Sequence, residues 1–402
     1  MEELIGLAVC CIAFFLTFSI KDLTLWGAVI IATAAFFFGQ SKHGAAHGAI
    51  PLLFGVTVGR MARFFLIGSR RHKLTQAKEL EIGQSGFASV ATFFIGLILL
   101  LAFSSWWHLD VVGPYHGPRW MGLWDNPNDY GVIMSAGMLL AIGLRAGMQK
   151  EELRIKRLLP IILFVSAGMM GVGLVMSYSR GAWLGTVAGL LYLANSYRKF
   201  KWRSLNFFLL STFCILLLIS IVYFFWNATP DSAPWYVKRM DLGRPSAQHR
   251  VAAWKAGFEI MRDHPLGVGW NKTVEIYQDH YSPPPDGAGA ITTNDYLMLG
   301  TQLGIPALLC FLAYVALCLG AANWVRKWRG KPLAVGPNFS LQNSEFRIKT
   351  ACRSAALSLL VAFWFDGGLF QLPTAVVFWI LLELGAVERH KWQIARQQET
   401  II

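Results

Sequence analysis

Three arginines of this chain stand outside its basic clusters, and all three suit the same chemistry. Arg119, Arg180 and Arg250 each lie in a polar segment that borders a long apolar run. The guanidinium group is permanently charged, and its planar set of donors matches the oxygen atoms of a phosphate. A cation at a membrane boundary is costly unless it reaches water or meets an anion. Together these arginines indicate a site for a phosphate-bearing, lipid-linked substrate.

Arg119 lies in the segment 105–129, which we predict to be an outward-facing loop. The segment is rich in Pro, Gly, Asn and Asp, which favour turns, and in tryptophans, which are typical of membrane interfaces. A cation beside turn amides is suited to anion binding, so Asn126 and Asn128 are predicted to bind the substrate with Arg119. The alternative is a capped loop with aromatic anchors.

Arg180 lies in the short turn Ser177-Tyr-Ser-Arg-Gly181 between two apolar runs. The glycine permits a tight turn and a close approach of another group to the backbone. We interpret Arg180, with Ser179 beside it, as a phosphate contact. A side chain that merely extends to the membrane surface is the alternative.

Arg250 lies in the segment 227–293, which we predict to be a large outward loop. Within it, Ser246 is predicted to cap a helix that runs to about Asp263, because His264-Pro265 would end it.

Arg250 falls at the edge of this helix's apolar arc, which comprises Val251, Trp254, Phe258 and Met261. This position directs Arg250 along the membrane surface, where a diphosphate is accessible, and Trp254 is predicted to contact the substrate. The glycines and prolines that follow suggest a gate. An amphipathic helix that only rests on the bilayer is the alternative.

The elements that would position these residues are membrane spans. The chain has 402 residues, of which 55% are hydrophobic and 15% charged, and its mean hydropathy is +0.45. We predict an all-α, polytopic transmembrane helical bundle of about 11–12 spans, with short amphipathic helices in its long outward loop, as a single integral membrane domain over residues 1–402. The apolar runs are 4–20, 24–39, 49–67, 85–104, 130–146, 159–176, 181–196, 205–226, 296–322, 353–369 and 373–388.

Basic residues indicate which side of the bundle is cytoplasmic. They concentrate in connections that alternation of the spans places on one side, namely 70–73, 150–157, 198–203, 326–349 and 389–396. The segment 323–352 is therefore predicted to be a cytoplasmic loop, and the three arginine segments face outward. The net charge of +13 follows from this topology and from anionic lipid, and nucleic acid is not implied. The six cysteines indicate neither a disulfide framework nor a metal site.

Four motifs follow one another between residues 117 and 304. They are Arg119-Trp-Met-Gly-Leu-Trp-Asp-Asn-Pro-Asn128, Ser177-Tyr-Ser-Arg-Gly-Ala-Trp183, Arg250 with Trp254 and His264-Pro-Leu-Gly-Val-Gly269, and Asn294-Asp-Tyr-Leu297 before Gly304. In this order they resemble the bacterial O-antigen ligase and O-antigen polymerase superfamily of polytopic glycosyltransferases. The flanking spans match only as apolar segments.

The resemblance implies an enzyme at the outer face of the bacterial inner membrane that transfers a glycan from a polyprenyl diphosphate, without a cofactor or a metal ion. The acceptor is lipid A core in ligases and another lipid-linked repeat in polymerases, and polysaccharide-assembly proteins are possible partners beside the membrane lipids. By resemblance Arg180 and Arg250 contact the diphosphate, Arg119 is a third contact, and Asn294 and Tyr296 bind substrate. Fixed guanidinium groups would stabilise the negative charge of the departing diphosphate.

The chain departs from the ligase pattern at two positions. Thr293 stands where ligases resemble one another in a histidine, and Gln302 stands where a glutamate is frequent. A threonine is not a base near neutral pH, so either another group replaces the histidine or no strong base is needed. The departure favours a polymerase or a divergent exopolysaccharide enzyme over a ligase.

Several nearby side chains are candidates for the missing base: His280, His249, His264, Asp279, Asp286 and Asp295. We assign catalytic roles to His280 and Asp295, the latter to orient a sugar hydroxyl. Asp366, close to a membrane boundary, is predicted to contact sugar hydroxyls or an arginine, with a helix-end cap as the alternative.

Three other functions compete with this interpretation. A transporter for a lipid-linked glycan would show two related halves with broken helices, and we find no such internal symmetry. A non-catalytic binding or scaffold subunit would explain Thr293 and Gln302, but the three arginines and the Asn294/Tyr296 pair argue against it. A cell-wall polymerase of the shape-and-division type has a similar topology, but its motifs are not found.

Overall fold

A computed structural model describes residues 42–68, 92–103, 119–124, 126–146, 148, 158–197, 245–320 and 339–386. Within these ranges the regular structure is entirely helical, as predicted. The helices are α1 (Lys42–Gly68), α2 (Thr92–Phe103), α3 (Pro127–Ala146), α4 (Leu158–Ser177), α5 (Arg180–Tyr197), α6 (Pro245–Asp263), α7 (Thr273–His280), a 3₁₀ helix (Ala288–Thr293), α8 (Asp295–Leu319), α9 (Phe339–Ala362) and α10 (Leu372–Ala386).

Three of the described helices, α3, α4 and α8, are long and apolar enough to cross a membrane. Helices α2 and α10 are apolar but shorter. The complete prediction of about 11–12 spans also counts the runs 4–20, 24–39 and 205–226, which lie outside the described residues.

Helix α9 lies at the centre of the packing and contacts α3, α5 and α10. Small residues allow the backbones to approach closely, as is common between membrane helices. A Cβ added at Gly185 of α5 would collide with the carbonyl oxygen of Ser358, and one added at Gly189 would lie 2.9 Å from the carbonyl oxygen of Ser354. The Ser135 hydroxyl, on α3, lies 2.6 Å from that of Ser358 and 2.7 Å from that of Thr186. These hydroxyls join α3, α5 and α9 inside the bundle.

At the opposite end from the site described below, α1 is joined to α8 and α10 by a buried ionic cluster. Arg60 and Arg63 lie 3.4 and 3.1 Å from the carboxylate of Glu383, which is fully buried. The Tyr314 hydroxyl of α8 donates to the same carboxylate, and the Arg60 guanidinium lies over the Tyr314 ring. A buried charge is tolerated when it is paired and hydrogen-bonded in this way.

Helices α6 and α7 and the 3₁₀ helix form an outer unit that packs on α8. The small core of this unit consists of Ala253, Ala256, Ile260, Tyr277 and Ile291. Val251 and Phe258, which the helical wheel of α6 placed on its apolar arc, are instead 62% and 52% exposed. The face that α6 buries against α8 and the 3₁₀ helix carries Ala253, Ala256 and Gly257 together with Ile260 and Met261.

The segment between α6 and α7 enters a break in α8. Gly304 has a φ of 87°, which interrupts the helix before Pro306. The amide nitrogens of Val268 and Gly269 donate to the carbonyls of Thr301 and Gln302 at 2.8 and 3.0 Å. The amide of Ile305 donates to the carbonyl of Pro265 at 2.9 Å. The backbone groups freed by the break are thus bonded to the outer unit.

The structure changes the bounds of the predicted loops. Helix α3 begins at Pro127, inside the predicted loop 105–129, and the predicted loop 227–293 contains α6, α7 and the 3₁₀ helix. Helix α9 begins at Phe339, inside the segment 323–352 that we predicted to be a cytoplasmic loop. Its first turns are polar, so an apolar run does not reveal them. The parts 105–118, 227–244 and 323–338 of these loops lie outside the described residues.

Candidate active site

A cavity of about 210 Å³ opens where α3, α5 and α6 begin and where α9 turns into α10. Its lining contains the three arginines that the sequence singled out. The lining residues are Arg119, Asn128, Tyr178, Arg180, Ser246, Arg250 and Asp366. Residues as far apart in sequence as Arg119 and Asp366, which are 247 positions apart, therefore contribute to one site.

Arg119 is 2% exposed and is fixed by two hydrogen bonds. Its Nε donates to the carbonyl of Ser177 at 2.7 Å, and its Nη2 donates to Oδ1 of Asn128 at 2.6 Å. The next residue, Trp120, donates its amide to the carbonyl of Met176 at 3.0 Å. The segment before α3 is thus attached to the end of α4, and Asn128 lies in the cavity wall as the partner of Arg119.

Asn126 begins α3. Its Oδ1 accepts the amide of Asn128 at 2.9 Å, and Pro127 occupies the first helical position, where its missing N–H costs nothing. Asn126 was predicted to bind substrate. In the structure it caps α3 and lies two positions before the lining residue Asn128. It acts on the cavity by positioning Asn128.

Ser179 caps α5 and contacts Asp366. Its Oγ accepts the amide of Ala182 at 3.1 Å and donates to Oδ2 of Asp366 at 2.5 Å. A Cβ at Gly181 would collide with the same carboxylate, so the glycine lets Asp366 lie directly on the first turn of α5. Arg180, the first residue of α5, lines the cavity beside it.

Arg250 approaches Asp366 from the opposite side of the cavity. Its Nη2 lies 3.4 Å from Oδ1 of the carboxylate, and its side chain is 24% exposed, against 3% for Asp366. One turn later on α6, the Trp254 ring packs edge-on against Trp364 and Phe365, with ring centroids 5.7 and 6.0 Å apart. Trp254 therefore holds α6 against the α9–α10 turn and is not part of the lining.

The motif Asn294-Asp-Tyr296 lies next to this turn, outside the lining. Asn294 caps α8, because its Oδ1 accepts the amides of Tyr296 and Leu297, each at 3.1 Å. Asp295 Oδ2 accepts the amide of Leu369 at 2.8 Å. The Tyr296 hydroxyl donates to the carbonyl of Leu360 at 2.7 Å. These side chains bind the chain's own backbone and position the segment that carries Asp366.

The candidate bases of the outer unit do not line the cavity. His280, to which we assigned a catalytic role, is exposed at the end of α7, as is the neighbouring Asp279. His264 and Asp286 are also exposed, and His249 packs beside Gly287. The Thr293 hydroxyl donates to the carbonyl of Ala290 at 2.8 Å. Asp366 is thus the one carboxylate among the side chains that line the described cavity.

Two lining residues were not among the predicted site residues. Tyr178 has a φ of 49°, a conformation that only a few per cent of non-glycine residues adopt, and its position inside the quoted Ser-Tyr-Ser-Arg motif was the available signal. Ser246 was noted only as a helix cap. Behind the lining, the buried Asp129 carboxylate lies near Asp366 and Gln371, and its position directly after Asn128 was the signal that could have found it.

The lining of this cavity is mainly positive. Three guanidinium groups converge on one small space, and only one lining carboxylate opposes them. Such a lining suits an anion with several oxygen atoms. Among the described residues, no three His, Cys, Asp or Glu side chains are grouped as a metal ion would require.

Comparison with protein families gives a match over the middle of the chain. The family model described as O-antigen ligase matches residues 164–312. A search of curated proteins finds no match for the chain. The resemblance that the motifs indicated is confirmed over this range, which includes Arg180, Arg250 and the segment Asn294–Tyr296, while Arg119 and Asp366 lie outside it.

Proposed function

We propose a specific reaction, which the match to the O-antigen ligase family model over residues 164–312 supports. The protein is a membrane glycosyltransferase that takes a glycan from a polyprenyl diphosphate at the outer face of the bacterial inner membrane. It joins this glycan to O-antigen, capsule or exopolysaccharide.

The observation that supports this proposal is the meeting of Arg119, Arg180 and Arg250 in one cavity. The three belong to different parts of the chain: the segment before α3, the first turn of α5 and the middle of α6. No single local structural role explains all three. A doubly charged diphosphate offers oxygen atoms to each of them.

In the proposed reaction, a hydroxyl oxygen of the acceptor forms a bond to the anomeric carbon of the donor sugar. The bond between that carbon and the diphosphate oxygen breaks, and its electron pair stays on the diphosphate. The hydroxyl proton is released to water. Guanidinium groups fixed by the protein stabilise the charge that develops on the leaving oxygen, which is the role that a magnesium ion has in many soluble enzymes.

The absence of the ligase histidine fits this scheme. An oxocarbenium-like carbon is strongly electrophilic, so the attacking hydroxyl loses its proton as the new bond forms. Thr293 need not act as a base. We propose that leaving-group stabilisation supplies most of the rate enhancement.

Polymerisation of lipid-linked repeats is the favoured reaction, on the evidence of Thr293 and Gln302. Two alternatives remain testable: ligation of the glycan to lipid A core, and binding or transport of the lipid-linked glycan without chemistry. Product analysis separates all three.

The test uses purified full-length protein and a lipid-linked repeat unit as donor and acceptor. We expect a ladder of lengthened lipid-linked glycan, and we expect Arg180→Ala and Arg250→Ala each to reduce its formation by at least about 100-fold. Arg262→Ala is the matched control, because Arg262 lies on α6 with Arg250 but is 76% exposed and paired with Asp263.

A ladder that persists in Arg180→Ala and Arg250→Ala would exclude the arginine cavity as the donor site. If no glycosidic bond forms with any acceptor, yet the lipid binds in an arginine-dependent way, the transport or scaffold function replaces the enzyme.

A further inference from the structure

The carboxylate of Asp366 lines the cavity, although a site that binds a diphosphate has no need of a negative side chain. Three of its lining side chains are positive and one is negative, so three minus one gives the lining a net charge of +2. Asp366 reduces the attraction for any anion that enters. Its presence among the arginines therefore calls for a physical reason.

Asp366 is held firmly in this position. Ser179 Oγ donates to Oδ2 at 2.5 Å, Arg250 Nη2 lies 3.4 Å from Oδ1, and Gly181 leaves room for the carboxylate against α5. The residue is 6% exposed. A carboxylate fixed from several sides does not turn away when an anion binds beside Arg250.

The two forms of the carrier lipid differ in charge. A diphosphate esterified at both ends, as in the donor, carries one negative charge on each phosphorus. After glycan transfer its terminal phosphate is free and gains about one further charge at neutral pH, since the corresponding pKa of a phosphate is about 6. The lining charge of +2 balances the two negative charges of the donor diphosphate. The diphosphate of the spent carrier has about one negative charge more than the lining balances.

We infer that Asp366 is a specificity-determining residue that makes the cavity favour the glycan-linked donor over the spent polyprenyl diphosphate. This inference rests on the proposed function. The fixed carboxylate repels the additional charge of the product, so the carrier leaves after transfer and does not block the site. Asp129 and Asp295 are buried outside the lining, and any negative charge on them acts in the same direction.

The size of the effect follows from Coulomb's law. One unit charge about 10 Å from another, at an effective dielectric constant near 20, changes an affinity by roughly an order of magnitude. We therefore expect the ratio of the two dissociation constants, product over donor, to fall about tenfold when Asp366 loses its charge.

The experiment measures binding of two probes to the full-length protein in detergent by calorimetry. Farnesyl diphosphate represents the spent carrier, and the same lipid diphosphate esterified with one sugar represents the donor. In Asp366→Asn both probes should bind more tightly, and farnesyl diphosphate should gain about tenfold more than the sugar-linked probe. Asp366→Glu should keep the wild-type ratio. Asp263→Asn removes a carboxylate outside the cavity and is the matched control.

A second measurement needs no variant. In the wild type, lowering the pH from about 8 to about 5 protonates the free terminal phosphate but not the esterified one. The preference for the sugar-linked probe should therefore shrink as the pH falls.

The outcomes separate the inference from the proposed function. If both probes bind the wild type but Asp366→Asn leaves their ratio unchanged, or weakens both equally, the inference is wrong and the donor site stands. If the wild-type ratio does not change with pH, charge is not the basis of selection. If the wild type binds neither probe, the proposed donor site itself is wrong.

Discussion

Arg119 is buried in the cavity wall, where it is 2% exposed. Nε and Nη2 donate to acceptors on two separate segments, the Ser177 carbonyl and the Asn128 amide oxygen. A lysine offers a single ammonium group and does not reproduce this planar pair of donors. Arg119 therefore both stabilises the cavity wall and contributes charge to it.

We expect Arg119→Lys to lower the stability of the protein by roughly 1.5–3 kcal/mol, the range for hydrogen bonds made by a charged group. We also expect it to reduce glycan transfer, because the wall that carries Asn128 loosens. Thermal unfolding in detergent and the transfer assay provide the two readings. Arg262→Lys, on the surface of α6, should change neither, and an unstable but fully active Arg119→Lys would restrict the role of Arg119 to structure.

The three arginines predicted to bind substrate all line one cavity, whereas two of the predicted amide side chains cap helices. Asn126 and Asn294 were predicted to bind substrate, and both accept backbone amides at the start of a helix. The same amide side chain performs either task, and only the position of the helix end decides between them. For the arginines the sequence also left a structural alternative, and Arg119 does hold the cavity wall together through its hydrogen bonds.

This distinction is open to test at Asn294. Serine also caps helices, so Asn294→Ser should retain activity and lose only a few tenths of a kcal/mol of stability, whereas Asn294→Ala should lose about 1 kcal/mol. Thermal unfolding and the transfer assay on both variants measure this. Loss of activity in Asn294→Ser at unchanged stability would instead assign the side chain to the substrate.

At the scale of helices, the close contact of α5 with α9 depends on glycine. A Cβ at Gly185 would collide with the Ser358 carbonyl, so Gly185→Ala should force the helices apart and cost about 1–3 kcal/mol. Gly168, inside α4, has open space around it, and Gly168→Ala should be neutral or stabilising by up to about 1 kcal/mol. Denaturation midpoints of the two variants make the comparison, and equal effects would refute the packing explanation.

The end of α6 at Asp263 was predictable from His264-Pro265, whereas Ser246, predicted to precede the helix as its cap, lies inside its first turn. The break in α8 was not predicted. Hydropathy gives one continuous run, 296–322, although Gly304 and Pro306 inside it are residues that interrupt helices. The partners of the break, the amides of Val268 and Gly269, lie more than thirty residues earlier, and no local pattern predicts that pairing.

At the scale of the whole molecule, the orientation of the bundle is a prediction from the basic loops. In a cysteine-free background, His280→Cys should react with a membrane-impermeant maleimide from the outer side of intact cells, because the segment 227–293 that contains α7 is predicted to face outward. Gln393→Cys, in the basic C-terminal segment, should react only after the membrane is opened. The reverse pattern would place the arginine cavity in the cytoplasm.

Hydropathy predicts the membrane spans, and the bias of basic residues predicts on which side of the membrane each loop lies. Neither predicts which helices are neighbours. The central position of α9 depends on small residues that meet across the bundle, such as Gly185 and Ser358. The positions of glycine and serine in the sequence do not predict which helix they contact. The convergence of the three arginines could be inferred because each guanidinium group suits the same ligand, a phosphate. No packing pattern in the sequence indicated it.

The buried cluster around Glu383 bears on how the protein is made. Arg60 and Arg63 emerge from the ribosome early, and the carboxylate that neutralises them lies 320 residues further along the chain. At about 5–20 residues per second, translation takes roughly 16–64 s to reach it. Throughout that interval α1 contains two arginines without their final counter-ion, so its docking onto α10 belongs to the last stage of biogenesis. A chain that ends before Glu383 lacks the counter-ion of Arg60 and Arg63. We expect such a chain to be unstable in the membrane, because two buried arginines then have no carboxylate partner.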